Sequence, residues 1–179
     1  MAKISGMIVP LTRAGYRADT SPYRHIREFE DFVSDNYGRF NAALEEGQRI
    51  VGEWMNVATG TIYSLPHEPF VVFDVMIGQR RLPYDEHVAI AQKHGFVTAS
   101  VISDGPPISI ERALDVLGPF GRHGATEPVE GAVWRVERNG KFDFMAKFVR
   151  SDKVDGKYLP GISGEDYIYN SAGEKLREE

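Results

Sequence analysis

Apolar positions along this chain recur at two spacings, and the changes between them set the expected elements. Met7 to Leu11 is a short apolar run that reads as a strand. Ile26, Phe29, Phe32 and Val33 then share one helical face, which predicts a helix over residues 21–46. A break at Tyr37-Gly38 interrupts it, Phe40, Ala43 and Leu44 continue the face, and Gly47 ends it. Arg49 to Trp54 reads as a strand. Phe70 to Ile77 is apolar except for Asp74, as in a strand covered on both faces. Pro83 and Asp85 introduce a helix to about Lys93, stopped by Gly95. Val97 to Ile102 predicts a strand closed by Asp104-Gly105-Pro106, and Ser109 caps a helix ending near Gly118. Asn139-Gly140 joins two final strands, Val129 to Arg135 and Phe144 to Val149, as a hairpin. The residues from Ala172 to Glu179 are highly charged and read as frayed or as a solvated helix. Strands interspersed with helices, without repeats or a clear linker, make the expected class α+β.

Composition narrows this picture. A chain of 179 residues, 42% hydrophobic, suits one domain with a sizeable core. The net charge of −5 excludes a general nucleic-acid-binding polycation. Charge is uneven, however: from Arg135 to Lys157 there are seven Lys/Arg against four Asp/Glu, an excess of three. Such a face receives phosphates, or it is a strand edge blunted with charge. There is no cysteine, which excludes disulfides and thiolate metal sites and suits the reducing cytoplasm, the expected location. The start has no long apolar region of a secretory signal, and no apolar run approaches the ~20 residues of a membrane span.

Four positions invite chemistry. Glu53 interrupts an otherwise apolar strand and faces either solvent or a polar site. Asp74 interrupts a longer one, where an unpaired buried carboxylate is costly, so it must be paired, hydrogen-bonded or at a pocket lip. Glu130 stands at a strand start, where a charge is cheap. Lys147 lies between Met145-Ala146 and Phe148-Val149, and a long lysine can snorkel from such a run.

The order of the segments carries more than any one of them. Leu11-Thr12-Arg13-Ala14-Gly15, Gly52-Glu53-Trp54-Met55, Phe70-Val71-Val72-Phe73-Asp74-Val75, Glu130-Gly131-Ala132-Val133 and Phe144-Met145-Ala146-Lys147-Phe148-Val149 resemble, in sequence order, five motifs of the ATP-dependent RNA ligases. These belong to the covalent nucleotidyltransferase superfamily with DNA ligases and mRNA capping enzymes. The resemblance covers about residues 7–170. It implies a nucleotidyltransferase (ATP-grasp-like) domain of antiparallel sheets with flanking helices over 1–170, followed by a charged tail, 171–179. It implies ATP and Mg²⁺ or Mn²⁺ as cofactors and RNA ends as partners. Glu53 would read the ribose, Phe73 stack on adenine, Glu130 position the metal, and Arg13 and Lys147 contact phosphate as catalytic groups. In the family a lysine attacks the α-phosphorus of ATP, the adenylate passes to an RNA 5′-phosphate, and a 3′-hydroxyl displaces AMP.

Two departures qualify the resemblance. The family's nucleophile sits in Lys-x-Asp-Gly or Lys-x-x-Gly, upstream of the arginine motif. Lys3-Ile4-Ser5-Gly6 has the loose form but stands only ten residues before Arg13, too few for two strands of typical length. Lys153-Val154-Asp155-Gly156 has the strict form but follows the other motifs, and reads as a turn leaving the last strand, outside the nucleotide groove. The expectation is a domain shortened before its nucleophile. Many relatives also carry Lys-x-Lys in the last motif; here Val149 takes the second place, with Arg150 as a substitute charge. The alternative function is a noncatalytic nucleotide- or RNA-binding module that has lost the lysine, and a purely structural role is a third.

Overall fold

A computed structural model describes residues 1–172. In chain order its strands are β1 (Ala2–Ile4), β2 (Met7–Val9), β3 (Gln48–Trp54), β4 (Ser64–Leu65), β5 (Phe70–Ile77), β6 (Arg80–Arg81), β7 (Val97–Thr98), β8 (Gly131–Arg138), β9 (Lys141–Val149) and β10 (Ser171–Ala172). Its helices are α1 (Arg24–Asp35), α2 (Tyr37–Ala43), α3 (Tyr84–Lys93), α4 (Ile110–Leu117) and the single turn α5 (Pro160–Ser163). The class is α+β, as expected. The chain divides into two compact units. Among the described residues no helix is long and apolar enough to cross a membrane.

The first unit comprises Met1–Trp54, Phe70–Thr98 and the hairpin tip Asn139–Phe142. Its sheet runs β2-β1-β3-β5-β6, with β7 pairing in parallel to β5 and the other pairs antiparallel. One face carries the core: Phe29 and Val33 of α1, Phe40 of α2 and Ala91 of α3 cluster with Ile50, Phe70, Val72 and Val75 of the sheet. Trp54 closes this layer, its ring 5.3 Å from Phe29 and 5.2 Å from Phe32, and its Nε1 donates to the His25 carbonyl at 2.8 Å. The expected long helix divides at Asn36, whose Nδ2 donates back to the Phe32 carbonyl at 2.8 Å.

Asp74 answers its sequence question. Its side chain is wholly buried and ion-paired with Arg81 of β6. The strand expected over 97–102 shortens to Val97–Thr98. Only these two residues find a ladder, against Val71 and Val72.

The second unit comprises Met55–Pro69, Ala99–Arg138 and the described part of Asp143–Glu179. It holds most of the β8–β9 hairpin, a two-stranded sheet whose tip belongs to the first unit. Asn139 and Gly140 take φ of 53° and 67°, the left-handed pair a two-residue turn requires. At the open end the Arg150 amide donates to the Glu130 carbonyl at 2.9 Å. Gly131 allows that closeness, because a Cβ there would lie 2.1 Å from the Phe148 oxygen. Ser109 caps α4 by accepting from the Arg112 amide at 3.2 Å.

Residues late in the chain hold the 55–69 segment. The Asn170 side chain accepts from the Tyr63 amide and donates to the Met55 carbonyl, both at 2.8 Å, and β10 runs parallel to β4. Of the charged tail expected over 171–179, Ser171–Ala172 form β10 and the rest lies outside the described residues.

Candidate functional site

In the first unit, Glu53 and Phe73 come from neighbouring strands. Ile50 and Trp54 of β3 face the core, so alternation turns Glu53, which is exposed, to the opposite face of the sheet. Glu53 pairs in register with Val71. The register then shifts: Val51 faces Asp74 and Gly52 faces Val72, leaving Phe73 as the extra residue of a bulge. Half-buried Phe73 is therefore a diagonal neighbour of Glu53, two positions beyond its partner. Gly52 is required there, since a Cβ would meet the Val71 oxygen at 2.6 Å and the Phe70 ring at 2.7 Å. A carboxylate diagonal to a half-buried aromatic side chain suits a polar, flat ligand such as a nucleoside. Arg13 lies in an exposed turn closed by the Thr12 amide on the Tyr16 carbonyl at 2.8 Å.

Between Lys3 and Arg13 the chain is short, as its spacing implies: Lys3 lies inside β1, β1 and β2 are only three residues each, and they turn tightly at Ser5-Gly6. The carboxylate of Glu46 stabilises that turn by accepting from the Ser5 and Gly6 amides at 2.6 and 2.9 Å. Direction is what removes Lys3 from the Glu53 face. It pairs with the core residue Ile8, and its Nζ donates to the Asn41 and Leu44 carbonyls, both at 3.1 Å, at the end of α2.

In the second unit, Glu130, the residue before β8, meets Lys147 of β9 across the mouth of the hairpin, although it was expected on the strand itself. Lys147 Nζ donates to Glu130 Oε2 at 3.0 Å, with the lysine side chain 57% exposed. Lys153 corrects the sequence reading. It does not stand apart on an exit turn: its side chain is 6% exposed and its Nζ lies 3.4 Å from Glu130 Oε1. The turn closed by the Lys153 amide on the Arg150 carbonyl, at 3.2 Å, sends it back to the mouth of the hairpin. Arg150, the expected substitute charge, instead pairs with Asp152 at 3.4 Å. Burial works against ionisation of Glu130. The hydrogen bond and charge of Lys147, with the charge of Lys153, outweigh it and hold the carboxyl below its usual range.

A resident metal does not fit this carboxylate, because each of its oxygens already faces an ammonium. Nor does any group of three or more His, Cys, Asp or Glu among the described residues assemble a cation site.

With that geometry in hand, comparison with protein-family models matches residues 2–149 to RNA ligase. The chain belongs to the RNA ligase family. No curated protein and no solved structure matches it. The RNA ligase match begins before Lys3 and ends at Val149, so it takes in Glu53, Phe73, Glu130 and Lys147 and stops short of Lys153.

Sequence reasoning missed Lys153 as a partner of Glu130, and a second polar chain. Ser100 Oγ lies 3.2 Å from His123 Nε2, His123 Nδ1 lies 2.8 Å from His67 Nε2, and His67 Nδ1 lies 2.7 Å from the Glu68 carbonyl. A carbonyl only accepts, so His67 carries its proton on Nδ1. His123 then donates from Nδ1, and Ser100 donates to the bare Nε2. Burial, and secondarily the neighbouring His67, push the pKa of His123 down. No short-range pattern marks this chain, since His67 and His123 are 56 residues apart.

Proposed function

We propose that this chain binds ATP and serves adenylyl transfer to RNA 5′-phosphate ends, as the RNA ligase family match suggests. The observation that carries the reading is the Glu130–Lys147 pair at the open end of the hairpin. Lys147 offers an exposed ammonium to the oxygens of a phosphate, where charge grows as the bond to the leaving group breaks. Glu53 accepts from ribose hydroxyls and Phe73 offers a face to adenine. Arg13, on its exposed turn, offers a cation for phosphate. A divalent ion, Mg²⁺ or Mn²⁺, would come with the triphosphate and neutralise its charge, since Glu130 is already taken by two ammonium groups.

One observation favours the noncatalytic alternative. Both lysines of a Lys-x-x-Gly pattern, Lys3 and Lys153, have their ammonium groups engaged by carbonyls. The experiment therefore bypasses the first step. Pre-adenylylated RNA and an acceptor RNA with a free 3′-hydroxyl are mixed with the chain and Mg²⁺ or Mn²⁺, without ATP. The 3′-oxygen attacks the 5′-phosphorus, the phosphoanhydride bond breaks, AMP leaves and the hydroxyl proton goes to solvent. Sealing is expected, together with ATP binding and little covalent protein–AMP. Binding without sealing selects the noncatalytic module. Absence of both overturns the proposal.

A further inference from the structure

Lys153 has more partners than a charge on a turn needs. Its Nζ donates to the Gly60 carbonyl at 2.6 Å and to Thr61 Oγ1 at 2.8 Å, and faces Glu130 Oε1 at 3.4 Å. An ammonium has three protons, and these three acceptors use them all. Thr61 is itself buried, and the Lys153 side chain is nearly sealed from water. Such a lysine is a fixed cation and not a nucleophile, despite the Lys-Val-Asp-Gly that surrounds it.

The backbone is cut to fit it. A Cβ on Gly60 would lie 2.6 Å from Lys153 Nζ and 2.7 Å from its Cε. Gly60 therefore admits the lysine head as much as it admits a turn. On the other side, Glu130 divides its two oxygens between the buried Lys153 and the exposed Lys147.

We propose that Lys153 is a positioning residue: anchored on Gly60 and Thr61, it fixes the Glu130 carboxylate, and Glu130 in turn sets the place of the Lys147 ammonium. That Lys147 meets a phosphate rests on the proposed function above; the chain of contacts that aims it does not. The order runs from a buried cation, through a shared carboxylate, to a cation that solvent and substrate can reach. Lys153 itself touches no substrate. It supplies the second positive charge of the last motif from outside the segment where the family carries it, which Val149 and Arg150 do not do.

The test reads Lys147 directly, by the rate at which an amine-acylating reagent labels it in the purified chain, resolved by mass spectrometry. Two variants disturb Lys153 by unlike routes. Lys153→Met removes its charge; Gly60→Ala keeps every charge and displaces the head. Each is expected to raise Lys147 labelling about two- to fivefold, the size of a lost partly exposed ion pair. Glu130→Gln raises it at least as far, and Lys153→Met added to Glu130→Gln changes nothing more, as expected for residues acting in series. Exposed Lys141, at the far end of β9, serves as the internal control and stays unchanged. Unchanged Lys147 labelling in both single variants overturns the proposal. So does a parallel rise at Lys141, which marks general loosening, or full additivity with Glu130→Gln, which marks a route that avoids Glu130. Failure of the wild-type chain to bind ATP removes the proposed function and leaves the labelling result to decide the positioning role.

Discussion

Asp74 on β5 and Arg81 on β6 form an ion pair across a tight turn, with the carboxylate wholly buried and the guanidinium largely so. Two charges taken from water together are tolerable; one left alone is not. Arg81→Met is therefore expected to lower unfolding free energy by about 3–5 kcal/mol in urea denaturation, and Asp74→Asn added to it to restore much of the loss. A cost for Arg81→Met below about 1 kcal/mol shows a solvated pair instead.

Gly52→Ala tests the bulge. The added methyl meets the Val71 carbonyl and the Phe70 ring, both inside contact distance. The strands must part, at about 1–3 kcal/mol of stability, and Glu53 must move relative to Phe73, so ATP affinity falls with stability. Gly38→Ala is the contrast: it sits in α2 with open space around it, and gains about 0.5–1 kcal/mol. Unaltered melting of Gly52→Ala refutes the crowding.

On the proposed function, Lys147→Met removes one charged hydrogen bond to a bound phosphate. At roughly 1.5–3 kcal/mol this weakens ATP binding by about 10- to 100-fold. Isothermal titration reads the affinity and the pre-adenylylated RNA assay reads the loss of sealing. Equal binding by wild type and variant removes Lys147 from the phosphate role.

The Ser100–His123–His67 chain predicts a pH response. His123 has a folded pKa below its ordinary 6.5, so the unfolded chain binds more protons in the window just under that value. Its contribution is complete above about pH 6.5 and is lost as pH falls through the window down to the folded pKa. Thermal melts from pH 7.5 to 5 should show this decline, and His123→Gln should flatten it. An unchanged slope in His123→Gln assigns the decline to other groups.

What the sequence made visible was local. The apolar run of β5 is bounded by its own residues, and its one polar member had to be paired. Asn139-Gly140 and Ser109 each act over two to four residues, so turn and cap were legible. Glu130 and Lys147 are brought together by that same turn. Lys153 escaped because its anchors, Gly60 and Thr61, are 93 and 92 residues away. Its Lys-x-Asp-Gly setting also drew attention to a chemistry its buried head does not offer. The short reach from Lys3 to Arg13 was legible from length, and β1 and β2 are accordingly short, but only the register shows which face Lys3 takes.

The hold of Asn170 on Met55 and Tyr63 bears on how the polypeptide acquires its structure during synthesis. The segment 55–69 leaves the ribosome early, but its partners at Ile168 and Asn170 emerge more than 100 residues later. Most of the β3–β5 sheet and its helices can close before then, while 55–69 waits. Contacts of such sequence separation form slowly. Nascent chains stalled before Asn170 should carry a protected first unit and a protease-sensitive 55–69 loop.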